Sequence, residues 1–377
     1  TVKGAKLYVD NVNQNGQSAG LVEDSYNFSM ISLTKKGHLK INGNSSLLTL
    51  STSTGVTGDS SFPTLTVDGT ITYIGEGALE VNGVNLAVGG DITGVEDFLI
   101  GNSMAAGVTL YAHTWAHDAS NQYTFGSIKV DSLGTLTLAS YDSGDTVYTN
   151  DYGVTLNVTD LEVATGGVIT ANNQGYQSAR GPGAGGGGYC YATAPSYGGY
   201  GSGSSGQANI YGSVYEPSDL GSASGTQYGG TGGGGAIKLN VGGTLTLNGT
   251  ITSNGGTTSG DCNTGGTGGS IWIDANNMTG SSTMLISANG SPGNGKSQGA
   301  GGAGRIALYY SSSDLDLESY VLSNRIRATG STSGYISGAG TIYLENKGVD
   351  TVKGAKLYVD NLNQNGQYAG LSEADYQ

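Results

Sequence analysis

Apolar and polar residues alternate along most of this chain in short runs, most clearly between Gly234 and Gly256. Ile237, Leu239 and Val241 alternate with Lys238 and Asn240. After Gly242-Gly243, Leu245 and Leu247 alternate with Thr244 and Thr246; after Asn248-Gly249, Ile251 stands between Thr250 and Thr252. A period of two places each apolar set on one face of a strand. Turn dipeptides after so few residues bend the chain twice within about 20 residues. Three short strands bent around one apolar interior form a coil of a parallel β-helix. Such a coil buries its core only when others stack on it.

The other coils recur along the chain. Ile237, Ile271, Ile306 and Ile342 open equivalent strands, at spacings of 34, 35 and 36 residues. Ile169, Ile251, Ile286 and Ile326 close them, and glycine-rich excursions follow at 175–235, 255–269, 290–304 and 330–340. The pattern predicts an all-β, right-handed parallel β-helix with Gly-rich loops protruding from one side, the hand following from strand twist. At the usual coil length this means roughly 14 coils per 350 residues. The first hundred residues carry shorter strands of the same kind, such as Leu39–Ile41, Leu65–Val67 and Leu79–Val81. No helix of three turns is predicted.

Residues 1–27 and 351–377 match at 21 of 27 positions. We therefore divide the chain into one β-helix unit, 1–350, and the start of a following tandem unit, 351–377. The junction reads as coil following coil, with Leu7, Val9, Leu357 and Val359 in one continuous core. Neither end shows a polar cap, so the next repeat is expected to cover it. The chain starts at Thr1 without a signal-peptide pattern, as a mature product or a fragment would.

Composition changes the picture mainly by exclusion. The 377 residues include 69 Gly and only 5 Pro, 12% are charged, and the net charge is −14. One solenoid explains them better than several domains. So acidic a chain is unsuited to neutralising phosphates, which excludes nucleic acid as a partner. No stretch approaches the roughly 18 apolar residues of a membrane span. Six Asn-x-Ser/Thr sequons, at Asn27, Asn44, Asn157, Asn248, Asn277 and Asn289, are candidate N-glycosylation sites. Cys190 and Cys262 lie in loops leaving the same corner of neighbouring coils, which points to a disulfide; two isolated thiols or bonds between molecules are the alternatives.

The 175–235 insert holds 21 Gly and 8 Tyr, with only Arg180, Glu216 and Asp219 charged. It reads either as a flexible low-complexity loop or as an ordered Gly-rich layer, and the similar loops of neighbouring coils favour order. Its Tyr189, Tyr191, Tyr197 and Tyr200 are candidates for lateral contacts between molecules.

Catalytic and metal chemistry find little support. His113 and His117 have the spacing of a helical zinc pair but sit among strand residues, and no metal or cofactor is assigned. Asp314, Asp316 and Glu318 form the densest acidic run; alternation turns them outward, beside inward Leu315 and Leu317. A solvated edge explains them, so the chain is not expected to be an enzyme.

The succession Gly-Gly-Ser-Ile271-Trp-Ile, Ile286-Ser-Ala-Asn-Gly, Arg305-Ile-Ala-Leu-Tyr, Gly-Thr-Ile342-Tyr-Leu and Leu357-Tyr-Val-Asp-Asn resembles Gly-rich microbial surface proteins, adhesins and matrix proteins of the right-handed parallel β-helix class. The resemblance covers about 125–361 and implies a fold and an extracellular or cell-surface location, not a ligand. The main expectation is a structural building block of an extracellular filament, sheath or surface fibre that associates with itself. An adhesin stalk binding glycans or cells through the insert, and a polysaccharide-active enzyme, are the alternatives.

Overall fold

The computed structural model describes residues 5–12, 17–112, 122–188, 191–225, 231–257, 264–293, 299–349 and 354–371. Three sheets of twelve, ten and four strands form a parallel β-helix. The twelve-stranded sheet runs through Lys6–Asp10, Met30–Thr34, Val56–Thr57, Leu79–Asn82, Asp97–Ile100, Gln122–Val130, Val154–Val163, Ala236–Leu247, Ser270–Gly280, Arg305–Ser313, Thr341–Asn346 and Ala355–Tyr358. The second sheet extends from Ala19–Leu21 to Ile326–Arg327, and the third contains Ser25–Phe28, Leu47–Leu50, Thr70–Tyr73 and Ile92–Thr93. The chain divides into two compact units: 1–137 with 155–169 and 241–250, and 138–154 with 170–240 and 251–377.

In the first unit, alternation produces unbroken columns of like side chains. Ile31, Val56, Val81, Ile100, Val130 and Val163 pair in register along the long sheet. Leu39, Leu65, Leu86 and Val108 do the same in the second. All are buried. Each branched side chain removed from water contributes roughly 1.5–3 kcal/mol, and parallel pairing makes every coil share that burial with the next. Polar residues hold the corners: the Asp59 carboxylate accepts from the backbone of Lys35 and Ser61 at 2.8 and 2.9 Å. Hydrogen bonds from the Ser61 side chain and from the Lys35 and Ser61 backbone hold its pKa below the ordinary value.

In the second unit Ile271, Ile306 and Ile342 form the corresponding column, and Ile286 pairs with Ile326. Within residues 1–350 the long sheet has eleven strands among the described residues where about 14 coils were expected, because the 175–235 excursion adds length without adding a strand to it.

Two local expectations are corrected. The acidic run does not lie on a strand. Leu317–Leu322 is a short helix, and Asp316 caps it by accepting from the Ser319 amide. Leu315 is only half-buried, while Leu317 is buried. The C-terminal copy does not begin a parallel coil either. Ala355–Tyr358 runs antiparallel to Thr341–Asn346, with Tyr343 opposite Leu357, and Leu357 and Val359 are 46% and 54% exposed. Residues 347–354 are too few to complete a coil, since even the register partners Val81 and Ile100 stand 19 residues apart. A parallel crossover needs a dozen residues or more; a shorter link makes a hairpin.

Candidate functional site

The most distinctive surface belongs to the second unit, where the glycine-rich segments meet. Gly235, Gly269, Gly304 and Gly340 stand two residues before the column isoleucines. A Cβ on Gly269 would lie 2.0 Å from the Gly235 carbonyl oxygen; on Gly304, 2.0 Å from that of Gly269; on Gly340, 1.7 Å from that of Gly304. Gly232, Gly266 and Gly301 form a second column, with corresponding distances of 1.9 and 2.1 Å. Only glycine lets backbones approach so closely. The approach is spent on hydrogen bonds between segments: Gly221 N–H to Gly234 O at 2.8 Å, Gly234 N–H to Thr267 O at 2.9 Å, and Gly268 N–H to Gly302 O at 3.0 Å. Buried serines finish the layer; Ser253, Ser291 and Ser337 hydroxyls donate to Gly235, Gly255 and Gly301 carbonyls at 2.6, 2.6 and 2.7 Å. These segments are neither helix nor ladder strand, yet their main-chain groups are paired as a buried layer requires.

Parts of the described insert join this layer. Gly175 N–H donates to Gly233 O, Gly302 N–H to Pro195 O and Gly338 N–H to Tyr200 O. Arg305, fully buried, clasps it. The Nε and one terminal nitrogen of its guanidinium donate to Tyr211 O at 3.1 and 3.0 Å, and further bonds reach Thr341 Oγ1 and Gly370 O. Tyr197 lies beside it, ring centroid 5.7 Å from the guanidinium carbon, its hydroxyl donating to Ser270 Oγ at 2.6 Å. Ser270 donates onward to Asp219 O, and Tyr211 donates to Leu220 O. Burial raises the Asp219 carboxyl pKa, and the Arg305 charge opposes that shift.

A second clasp lies on the outer face of the long sheet. Val214 is buried against Ala307 and Tyr343, Tyr309 donates to Tyr215 O at 2.8 Å, and the Tyr215 and Tyr343 rings meet edge-on at 5.0 Å. Lys238 Nζ sits 3.3 Å above the Trp272 ring, and burial lowers its pKa.

Tyr197 is therefore an internal residue and not a lateral contact: its neighbours within the chain already cover its ring. Tyr200 is half-buried, its amide donating to Tyr368 O. Tyr191 belongs to a two-stranded hairpin, Gly187–Gly188 with Tyr191–Ala192. Tyr189, Cys190, Cys262, His113 and His117 lie outside the described residues. Among the sequons, Asn27 and Asn44 are exposed; Asn157, Asn248, Asn277 and Asn289 are half-buried. The Asn157 amide donates to Gln122, and Asn289 Oδ1 accepts from Thr329. The short acidic helix pairs Glu318 with Lys356. Among the described residues no group of three metal-ligating side chains converges.

The Arg305 clasp was missed in the sequence, although a signal existed. Ser270, Arg305 and Thr341 share one register column, so an arginine stands where neighbouring coils carry small polar residues.

Burial raises the phenol pKa of Tyr123, Tyr176 and Tyr211 above the ordinary value, and that of Tyr358 to about 12. A raised folded pKa means that the stability these phenols contribute is full below the unfolded value of about 10 and is lost as pH rises past it. A phenolate absorbance titration should show these buried phenols ionising only late, together with unfolding, and in denaturant they should ionise at the ordinary phenol value of about 10.

In the first unit, a groove of about 460 Å³ crosses the outer face of the second sheet. Thr64, Asn85, Gly107 and Thr109 are on its floor, and Phe62 and Leu133, both about half exposed, also line it. No charged side chain lines the groove. No protein-family model matches the chain, and neither a curated protein nor a solved structure is significantly similar to it.

Proposed function

We propose that the chain is a structural unit of an extracellular filament, sheath or surface fibre, and that it is not an enzyme. One observation carries this reading: much of the described part of the longest excursion is folded into the molecule, with exposure confined to stretches such as 177–179 and 204–207. Its main chain is hydrogen-bonded to neighbouring coils, and Tyr197 and Tyr176 are interior residues. In the second unit, ladder and glycine layer together tie successive coils to one another, which suits a structural role. The recurrence of residues 1–27 at 351–377 supplies a means of joining units. A net charge of −14 suits exposure to an aqueous medium. Immunogold labelling of producing cells with antibodies against the chain tests this. Gold along fibres or a sheath outside the cell is expected; label confined to the interior would overturn it.

A second reading, binding of a neutral saccharide, is favoured by the uncharged groove with Phe62 and Leu133, which offers an apolar face beside hydroxyl and amide groups. Glycan-array binding that is lost in Phe62→Ala would support it.

A further inference from the structure

The two copies of the sequence Ala-Lys-Leu-Tyr-Val-Asp-Asn, at 5–11 and 355–361, use opposite edges of the same strand. Main-chain groups alternate between the two edges along a strand, as side chains alternate between its faces. At the N-terminal copy, Ile31 N–H donates to Gly55 O in the following coil, so Met30 and Ser32 turn back toward Lys6–Asp10. In a parallel pair the residues that meet them are those opposite Ile31 and Leu33, namely Leu7 and Val9. Ala5 O, on the same edge, accepts from Ser29 N–H at 2.7 Å. The edge carrying Lys6, Tyr8 and Asp10 has no neighbour, since this strand ends the sheet among the described residues.

At the C-terminal copy the edges are reversed. Thr341 N–H donates to Gly304 O and Lys347 N–H to Tyr310 O, so Ile342 and Leu344 turn the other way, toward Ala355–Tyr358. Their partners across the antiparallel pair are Tyr358 and Lys356. These are the equivalents of Tyr8 and Lys6, whose edge is open in the other copy. Leu357 and Val359, the equivalents of Leu7 and Val9, carry the edge that is open here.

The faces are reversed as well. Leu7 and Val9 line up with the fully buried Ile31 and Leu33, on the core face. Leu357 lies opposite Tyr343, on the outer face, and Ala355 packs beside it against Val214, Ala307 and Tyr343. One geometric fact accounts for the change of face. Reversing a strand while keeping the right hand of the coil and its direction of growth moves the interior to the other face of the sheet.

We propose that Ala355–Val359 is a seam shared by two units. One edge closes the unit that ends at Thr341–Asn346. The other receives the Met30–Thr34 strand of a following copy of this sequence, whose core lies on the opposite face of the same sheet. The exposed Leu357 and Val359 are then the first core residues of that next unit. The occupant is a copy of this chain because Lys6–Asp10, identical to Lys356–Asp360, already holds that strand in a fixed register. The inference rests on the reading of the chain as one unit of an array, but its geometry is tested separately.

Residue-resolved amide exchange on the full chain comes first. Lys356 and Tyr358 should exchange slowly and Leu357 and Val359 fast, while Leu7 and Val9 are slow and Lys6 and Tyr8 fast. The same alternation phase in both copies would overturn the proposal. The second measurement uses the full chain continued from Gln377 into residues 28–350 of a second unit. Leu357 and Val359 should now slow by about 100-fold or more, and Val359→Cys should cross-link to Leu33→Cys of the second unit but not to Ser32→Cys. Unchanged exchange at Leu357 and Val359, or a cross-link between Leu344→Cys and Leu357→Cys, would mean that no such seam forms. Both readouts come from molecules in solution, so they stand whether or not gold labels fibres outside the cell.

Discussion

Replacing Gly304 with alanine should destabilise the second unit by about 3 kcal/mol or more, although it adds a single methyl group. The new Cβ would sit 2.0 Å from the Gly269 carbonyl oxygen, and that oxygen already accepts from Arg305 N–H at 3.0 Å. The obstacle is backbone and not a movable side chain, so relief requires two coils to separate. Separation would weaken the glycine layer and the Ile271–Ile306 column at once, because both are periodic along the same axis. Gly186→Ala is the matched control: its Cβ meets nothing within 4 Å, and no change beyond about 0.5 kcal/mol is expected. Chemical denaturation followed by circular dichroism compares the two. Equal midpoints would show that the glycine columns are not close-packed.

Arg305→Met should cost a similar amount, about 3 kcal/mol, and should act first on the insert. Methionine fills much of the volume, but it leaves the Tyr211 and Gly370 carbonyls and the Thr341 hydroxyl without their donor. Each buried acceptor stranded in this way costs about 1–3 kcal/mol. The insert then loses its attachment at Tyr211, and limited proteolysis should cut within 195–222 well before global unfolding. Arg327→Met is the control. Arg327 is half-buried, its Nε has no partner among the described residues, and burial lowers its pKa, so removing that charge should be neutral or slightly stabilising. Equal losses in the two variants would mean that Arg305 acts through its volume alone.

Much of the architecture is legible in the sequence. Period-two alternation fixes which face of a strand is apolar, and the spacing of Ile237, Ile271, Ile306 and Ile342 fixes which strands are neighbours. Both are local properties of the chain, because a strand has only two faces and a coil has a nearly constant length. The glycine columns were visible as glycine-rich stretches returning at one corner. What they do was not visible, since a flexible linker and a close-packed layer share the same composition.

The site shows the same division. Tyr197 read as a lateral contact because it stands in a Gly- and Tyr-rich insert; it is interior because Arg305, distant in sequence, lies beside it. Asp316 read as a strand residue by alternation with Leu315 and Leu317, but its carboxylate reaches the Ser319 amide and starts a turn of helix.

The chain by itself determined the coil, its repeat and its interior, because each depends on residues adjacent in sequence or one period apart. Only the tertiary structure decided how the chain ends are used. Two copies of one heptapeptide with the same alternation pair in opposite directions, one lying parallel to Met30–Thr34 and the other antiparallel to Thr341–Asn346. Side-chain pattern specifies the faces of a strand, whereas direction is set by how much chain connects it to its neighbour. Residues 347–354 are too few to travel around a coil, so the strand they deliver turns back.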